Sequence, residues 1–502
     1  MKPSSPVIEE GNEVTKPTRR AFLRGSGLAA GAAVVSGATL ATLAAHTARA
    51  NGRGHDDDHH EWSFEGYRSE YGELQPTPDQ DGNHILALPR DFRYVTFSKI
   101  GDTMSDGNIC PRAHDGMTCL EGRGGIVRLI RNHEVRTAPG AFNDPTTFSM
   151  GGPADKRYDP LGVGGTTTLD FDLRKKKLVR DFISLNGSIV NCSGGLAWRG
   201  MGWITSEETV NGPNQGWGKK HGYNFFVPVW ANSAVPAVPL PWMGRFAHEA
   251  AVADARGLLY ETEDAGNTSG FYRAIPKDPG NLYKGGKLEM LAIKGRPQAN
   301  LITGQTVGAR LPVEWVSIDD PDPNLEGGAL PRYRRGLAKG GASFNRLEGV
   351  FMGLDSRSVY FVSTSGGEKR YGQLWHYVPS DKLNGEDQLV LVFESPAGSV
   401  LDSPDNICIT PRGGILFCED DASGDGDSHP LAPGIADVNR LIGMGGLGEP
   451  FEFAVNIFND SELAGACFSP DGRTLFVNLF GDSTKGSGMT CAIWGPWERG
   501  PL

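Results

Sequence analysis

DGRTLFVNLF, residues 471–480, decides the fold. A turn-forming Asp-Gly leads into a run in which apolar residues alternate with others, and period two is the signature of a strand. The pattern recurs five more times: GGIVRLIRNHE from Gly124, RGMGWITSEE from Arg199, RGLLYETED from Arg256, SRSVYFVSTS from Ser356 and RGGILFCED from Arg412. Each copy has a small or basic start, and most end in polar or acidic residues. Strands repeated at blade-like intervals, each after turn residues, predict an all-β chain: a six-bladed β-propeller with inter-blade insertions.

A second motif precedes most copies. It reads NCSGG (191–195), HEAAV (248–252), LEGVF (347–351), SPDNI (403–407) and LAGACFS (463–469). A ligand-type residue is followed by small residues and an apolar run. Innermost propeller strands line the central channel. Cys192, Glu249, Glu348 and the Asp405–Asn406 pair are therefore expected to converge on one axis, although they lie far apart in sequence.

Residues 1–50 stand outside the fold. Arg19-Arg20 precede a Gly/Ala-rich apolar stretch ending in Ala48-Arg49-Ala50, the pattern of a cleavable twin-arginine export signal rather than a membrane helix. Residues 51–80 read as a polar linker and arm, and 81–502 as one propeller domain. The histidines of NGRGHDDDHH (51–60) fit a solvated tether better than a metal site. No other segment is apolar enough to span a bilayer. The expected location is the periplasm or the medium, with the export machinery as a transient partner and a monomeric product. Removing residues 1–50 takes six basic and three acidic residues from a chain of net charge −11, leaving −14. So acidic a protein is a poor nucleic-acid binder and a good host for hard cations.

The acidic strand ends supply Glu134, Glu207 with Glu208, Glu263 with Asp264, and Glu419 with Asp420. Carboxylates set side by side repel unless cations neutralise them, and calcium suits all-oxygen sites. A thiol at Cys192 among carboxylates implies more than one type of metal. Seven cysteines without a C-x-x-C motif do not form a dense disulfide framework; a Cys110–Cys119 pair is left open. No G-x-S-x-G, P-loop or H-E-x-x-H motif is present.

AHDGM (113–117), RNHE (131–134), NCSGG, GRFAHEA (244–250), ETEDAGNTSGFYR (261–273), RLEG (346–349), DSPDN (402–406), CED (418–420), FSPDGRTLFVN (468–478) and AIWGPW (492–497) occur in an order that resembles the PhoX alkaline phosphatases. The resemblance implies a propeller with an iron–calcium cluster in its channel, twin-arginine export and hydrolysis of phosphate monoesters. It implies Cys192 as an iron ligand, Glu249, Glu348 and the Glu419–Asp420 pair as metal ligands, and Arg346 as the contact to substrate phosphate. The family's TCEE appears here as Thr205-Ser206-Glu207-Glu208. The rival expectations are a calcium-dependent lactonase or phosphodiesterase on the same scaffold, which does not need the thiol, and a non-enzymatic metal-binding propeller.

Overall fold

The computed structural model describes residues 71–502 apart from 123, 324–335, 383–384, 421–425 and 447. The expected export signal and the 51–70 part of the linker therefore lie outside the described residues. The regular elements of the described chain are strands apart from short helical turns, most of them three-residue 3-10 turns.

Six strands form its centre: β1 (His114–Glu121), β2 (Asn191–Leu196), β3 (His248–Ala253), β4 (Leu347–Met352), β5 (Pro404–Ile409) and β6 (Leu463–Phe468). Each contacts the next, and β6 contacts β1, so they close a ring. Each turns back into an antiparallel partner, the strand read from the repeated pattern: Ile126–His133, Gly202–Glu207, Leu259–Glu263, Val359–Ser363, Ile415–Glu419 and Leu475–Leu479.

Further strands extend these hairpins outward. β1 heads a four-stranded sheet ending in Lys177–Ser188, and β2 a three-stranded one ending in Asn224–Pro228. The runs from β3 and β4 merge into one nine-stranded sheet, because Arg310–Ile318 pairs with both Gly286–Ile293 and Asp387–Glu394. The ring is tied shut by early residues. Arg93–Phe97 pairs with Met489–Trp494 in the β6 sheet, and His84–Pro89 joins the β5 sheet through Pro450–Asn456. Leu74–Pro78, read from sequence as part of the arm, adds the outermost strand there.

Apolar clusters fill the wedges between neighbouring sheets. One joins the β5 and β6 sheets through Leu416, Cys418, Leu441, Leu475 and Val477, and seats Tyr71, Phe92 and Trp497 at its edge. Burying such side chains is worth roughly 1.5–3 kcal/mol each. Among the described residues, no helix is long and apolar enough to cross a membrane.

Candidate metal centre

One backbone irregularity recurs in every ring strand. The pairing register of each hairpin slips near its start: between His114 and Met117, Asn191 and Gly194, His248 and Ala251, Leu347 and Val350, Pro404 and Ile407, and Ala464 and Cys467. A β-bulge re-aims the side chains inside it. In the first five strands the residue opening the slip is Asp115, Cys192, Glu249, Glu348 or Asp405. A second irregularity accompanies four of them. The residue two positions earlier takes a left-handed backbone: Ala113 (φ 55), Val190 (φ 50), Arg346 (φ 43) and Ser403 (φ 41). Residues with a Cβ adopt that conformation at a cost, and a β-branched valine more than most, so its repetition marks a geometry imposed by the site.

The side chains so aimed meet at one end of the ring. Four overlapping triads each place one ligand atom per residue within 4.8 Å of the others: Asp115–Glu134–Cys192, Cys192–Glu208–Glu249, Glu249–Glu348–Asp405 and Asp405–Asp420–Glu462. The triads share Cys192, Glu249 and Asp405 and form a continuous path of eight carboxylates and one thiol.

Burial and mutual repulsion hold these groups far from their ordinary ionisation. Burial, then the Glu134 and Asp405 charges, raises Asp115 well above the carboxylate range. Burial and neighbouring acids do the same to Glu134, Glu249, Glu348 and Glu462. Asp405 is pushed up to about 8 and Glu208 to about 7, burial being the largest cause of each. The Cys192 thiol is raised by burial and by Asp115, Glu249, Glu134 and Glu208. Two arginines sit at the margin. Arg136 bridges Glu134 and Glu208 (2.6 Å to the latter) with 58% of its side chain exposed. Arg346, 41% exposed, bridges Asp264 (3.1 Å) and Glu348 (2.8 Å).

The donor set fits cations. Glu249 is fully buried, yet neither oxygen has a nitrogen or hydroxyl donor among the described residues; Asp115 Oδ1 is likewise unpartnered. A buried carboxylate left so is costly by several kcal/mol, and ligation to a cation removes that cost.

The predicted acidic pairs split. Glu208 and Asp420 enter triads, whereas Glu207 and Glu419 turn away, as alternation along a strand requires. The expectation that both members are ligands is corrected by their partners. Glu207 accepts hydrogen bonds from the backbone N–H of Ile189, Gly222 and Tyr223 and from His221 Nδ1 at 2.6 Å. Glu419 accepts from the N–H of Asp402 and Arg440 and from Arg440 Nε and Nη2, both at 2.7 Å. Glu263 stands outside the triads and accepts the Tyr272 hydroxyl at 2.7 Å; Asp264 also stands outside them and holds Arg346.

Sequence reasoning did not single out Asp115, Glu462 or Arg136. Asp115 carried a signal: His114-Asp115-Gly116 repeats the form of His248-Glu249-Ala250. Glu462 carried none, because it precedes its strand whereas the other ring ligands stand within theirs. Cys110 and Cys119 are both free. Cys110 is buried beside Ser98 and Arg131, and Cys119 lies on β1 away from the acids.

Fold and site define a class of protein, one built on a closed ring of strands with a buried cluster of carboxylates and one thiol at one end. Residues 69–481 match the family described as alkaline phosphatase PhoX. The chain belongs to that family and is a phosphatase. Among solved structures it is similar to Pseudomonas fluorescens PhoX in complex with vanadate, a transition state analogue, at 15% identity and TM-score 0.61, over 86% of this chain and 98% of that one. It is more distantly similar to a Xanthomonas campestris gluconolactonase (10% identity, TM-score 0.39, 85% and 98%) and to an Agrobacterium tumefaciens regucalcin (10%, 0.37, 81% and 97%). Among curated proteins, none matches.

Proposed function

We propose that this chain is an exported phosphatase of phosphate monoesters, a six-bladed propeller whose channel holds iron and calcium. The observation that carries the reading is the graded ligand path. Its Cys192 end offers a thiolate among Asp115, Glu134, Glu208 and Glu249; its other end, from Glu348 to Glu462, offers oxygen alone. Thiolate suits iron and all-oxygen sets suit calcium. The six closed ring strands, each with its own hairpin, support the blade number.

When bound, such ions supply positive charge to a transferring phosphoryl group. The chain's own residues position that group. Arg346 is gripped by Asp264 and Glu348 while part of its guanidinium stays open, so its planar fork is pre-oriented for phosphate oxygens. Arg136 holds the corresponding margin beside Glu134 and Glu208. Glu249 and Cys192, deep in the ring, serve the ions rather than the substrate. Cys192 disfavours the calcium-only lactonase reading. Export by the twin-arginine route and a monomeric state belong to the same proposal; they rest on residues 1–50 and on the composition.

The test is elemental analysis with phosphate-monoester hydrolysis, on wild type and Cys192→Ser made in a host with twin-arginine export. The expected result is iron and calcium together in the wild type, with iron and activity lost in a folded variant. Calcium alone, or iron retained in full by Cys192→Ser, overturns the assignment.

A further inference from the structure

The ring has a second end. The turns after β2 to β6 gather there into a crown. Trp198 Nε1 donates to Ala255 O at 3.0 Å, and Ala255 N to Ser356 O at 2.9 Å. Gly472 lies so near Pro411 that a Cβ would meet its ring at 3.1 Å. Inside the crown is a well of about 700 Å³, within the roughly 300–1,000 Å³ of typical ligand pockets. Its wall is apolar and includes Met117, Val252, Val350, Phe351, Ile407 and Phe468. Five successive residues of one side, Ser193–Ala197, border it; at about 3.3 Å per strand residue the well is about 13 Å deep.

The floor separates the well from the acids. A Cβ on Gly349 would lie 2.6 Å from Asp405 O, and one on Gly465 2.5 Å from Asp115 O, so glycine alone lets these strands approach so closely.

The rim is basic. Arg199 lines the well and is exposed; Arg412 and Arg473 stand exposed on neighbouring turns. Arg199 lies over the Trp198 ring, and Arg412 donates to Gly500 O at 2.8 Å. None of the three has an acidic partner among the described residues, whereas Arg256 pairs with Asp254 and Arg357 with Asp381. Arg199 thus presents an unneutralised guanidinium at the lining of an apolar well, with Arg412 and Arg473 on neighbouring turns of the crown.

We propose that this well is a second binding site, for a fatty-acid-type anion. Its alkyl chain would lie along the ring axis and its carboxylate would meet Arg199 at the rim. Apolar walls supply affinity for the chain, and the guanidinium groups select the charge of the head. The phosphatase centre is not involved.

The experiment is titration calorimetry of the metal-loaded, full-length protein with dodecanoate below its micelle concentration, and with dodecyltrimethylammonium as the cationic counterpart. The expected result is saturable one-to-one binding of the anion, at least about tenfold tighter than the cation. An Arg199→Ala/Arg412→Ala/Arg473→Ala variant should weaken it at least about tenfold and Leu354→Glu, at the mouth, should weaken it further, with phosphatase activity unchanged in both. Equal binding of anion and cation, or no saturable binding, overturns the proposal.

Discussion

Two sets of buried acids stand a few residues apart in this molecule, and their surroundings are opposite. Glu207 and Glu419 are wholly enclosed, and each accepts four hydrogen bonds, from backbone N–H groups with His221 or from backbone N–H groups and the Arg440 guanidinium. Glu249 is just as enclosed and accepts none from nitrogen or hydroxyl. A saturated carboxylate holds the scaffold together. An unsaturated one at the same depth, among other carboxylates, has the chemistry of a cation ligand. The same residue type, one position along a strand, thus belongs to the fold or to the function according to which side it faces.

The comparison breaks most visibly in stability. Removing one partner of a buried, hydrogen-bonded ion pair leaves the other charge stranded, at about 3–5 kcal/mol. Glu419→Gln removes the charge that Arg440 grips through Nε and Nη2, leaving its contacts to Glu452 at 3.2 Å and to the carbonyls of Gly398 and Ser399. The expected outcome is a loss of that size in denaturant unfolding, with metal content per folded molecule unchanged. If Glu419→Gln keeps full stability and loses calcium, the two sets of acids have been sorted wrongly.

Glu249→Gln should do the reverse. It removes an unpartnered buried acid, so the metal-free protein should unfold no more easily than wild type. Bound metal and phosphatase kcat/KM should fall together, by roughly 10²-fold or more, the scale for removing one charge-positioning group at a reaction centre. Unfolding of the metal-free forms, metal analysis and kinetics on the same preparations decide it. A variant with full metal and full activity would remove Glu249 from the site.

How much of this was legible in the sequence follows from periodicity. The strands of the repeated pattern were readable because short β-branched and aromatic runs such as VYFVS and TLFVN each follow turn residues. Cys192, Glu249 and Glu348 stood out in the sequence because each opens small residues before an apolar run, and Asp405 because its Asp-Asn pair directly precedes one. The choice between Glu207 and Glu208 was not readable, since it depends on register, and register in each hairpin is reset by a bulge that the small residues there do not by themselves locate. Closure of the ring was also hidden. Arg93–Phe97 finds Met489–Trp494 across almost the whole chain, and nothing local in either strand names the other.

The smallest expected effect tests the scaffold set by pH. His221 lies between Glu207 (2.6 Å) and Asp159 (3.0 Å), wholly enclosed. Burial alone would lower its pKa, but the Glu207 charge and the hydrogen bonds to Asp159 and Glu207 outweigh it and raise the value to about 9. A histidine whose folded pKa is raised stabilises the fold fully below its unfolded value, about 6.5, and loses that contribution as pH rises toward the folded value. The window is therefore about pH 6.5 to 9. The shift bounds the effect at about 3 kcal/mol, and solvent relaxation within the site makes the measured part smaller. Unfolding free energy of the metal-saturated wild type should decline across that window. His221→Asn should be less stable at pH 6.5 and should show a flatter decline, so that the two curves converge near pH 9. Parallel curves would mean that His221 is neutral throughout, and that Glu207 is held by its three backbone N–H groups without an ion pair.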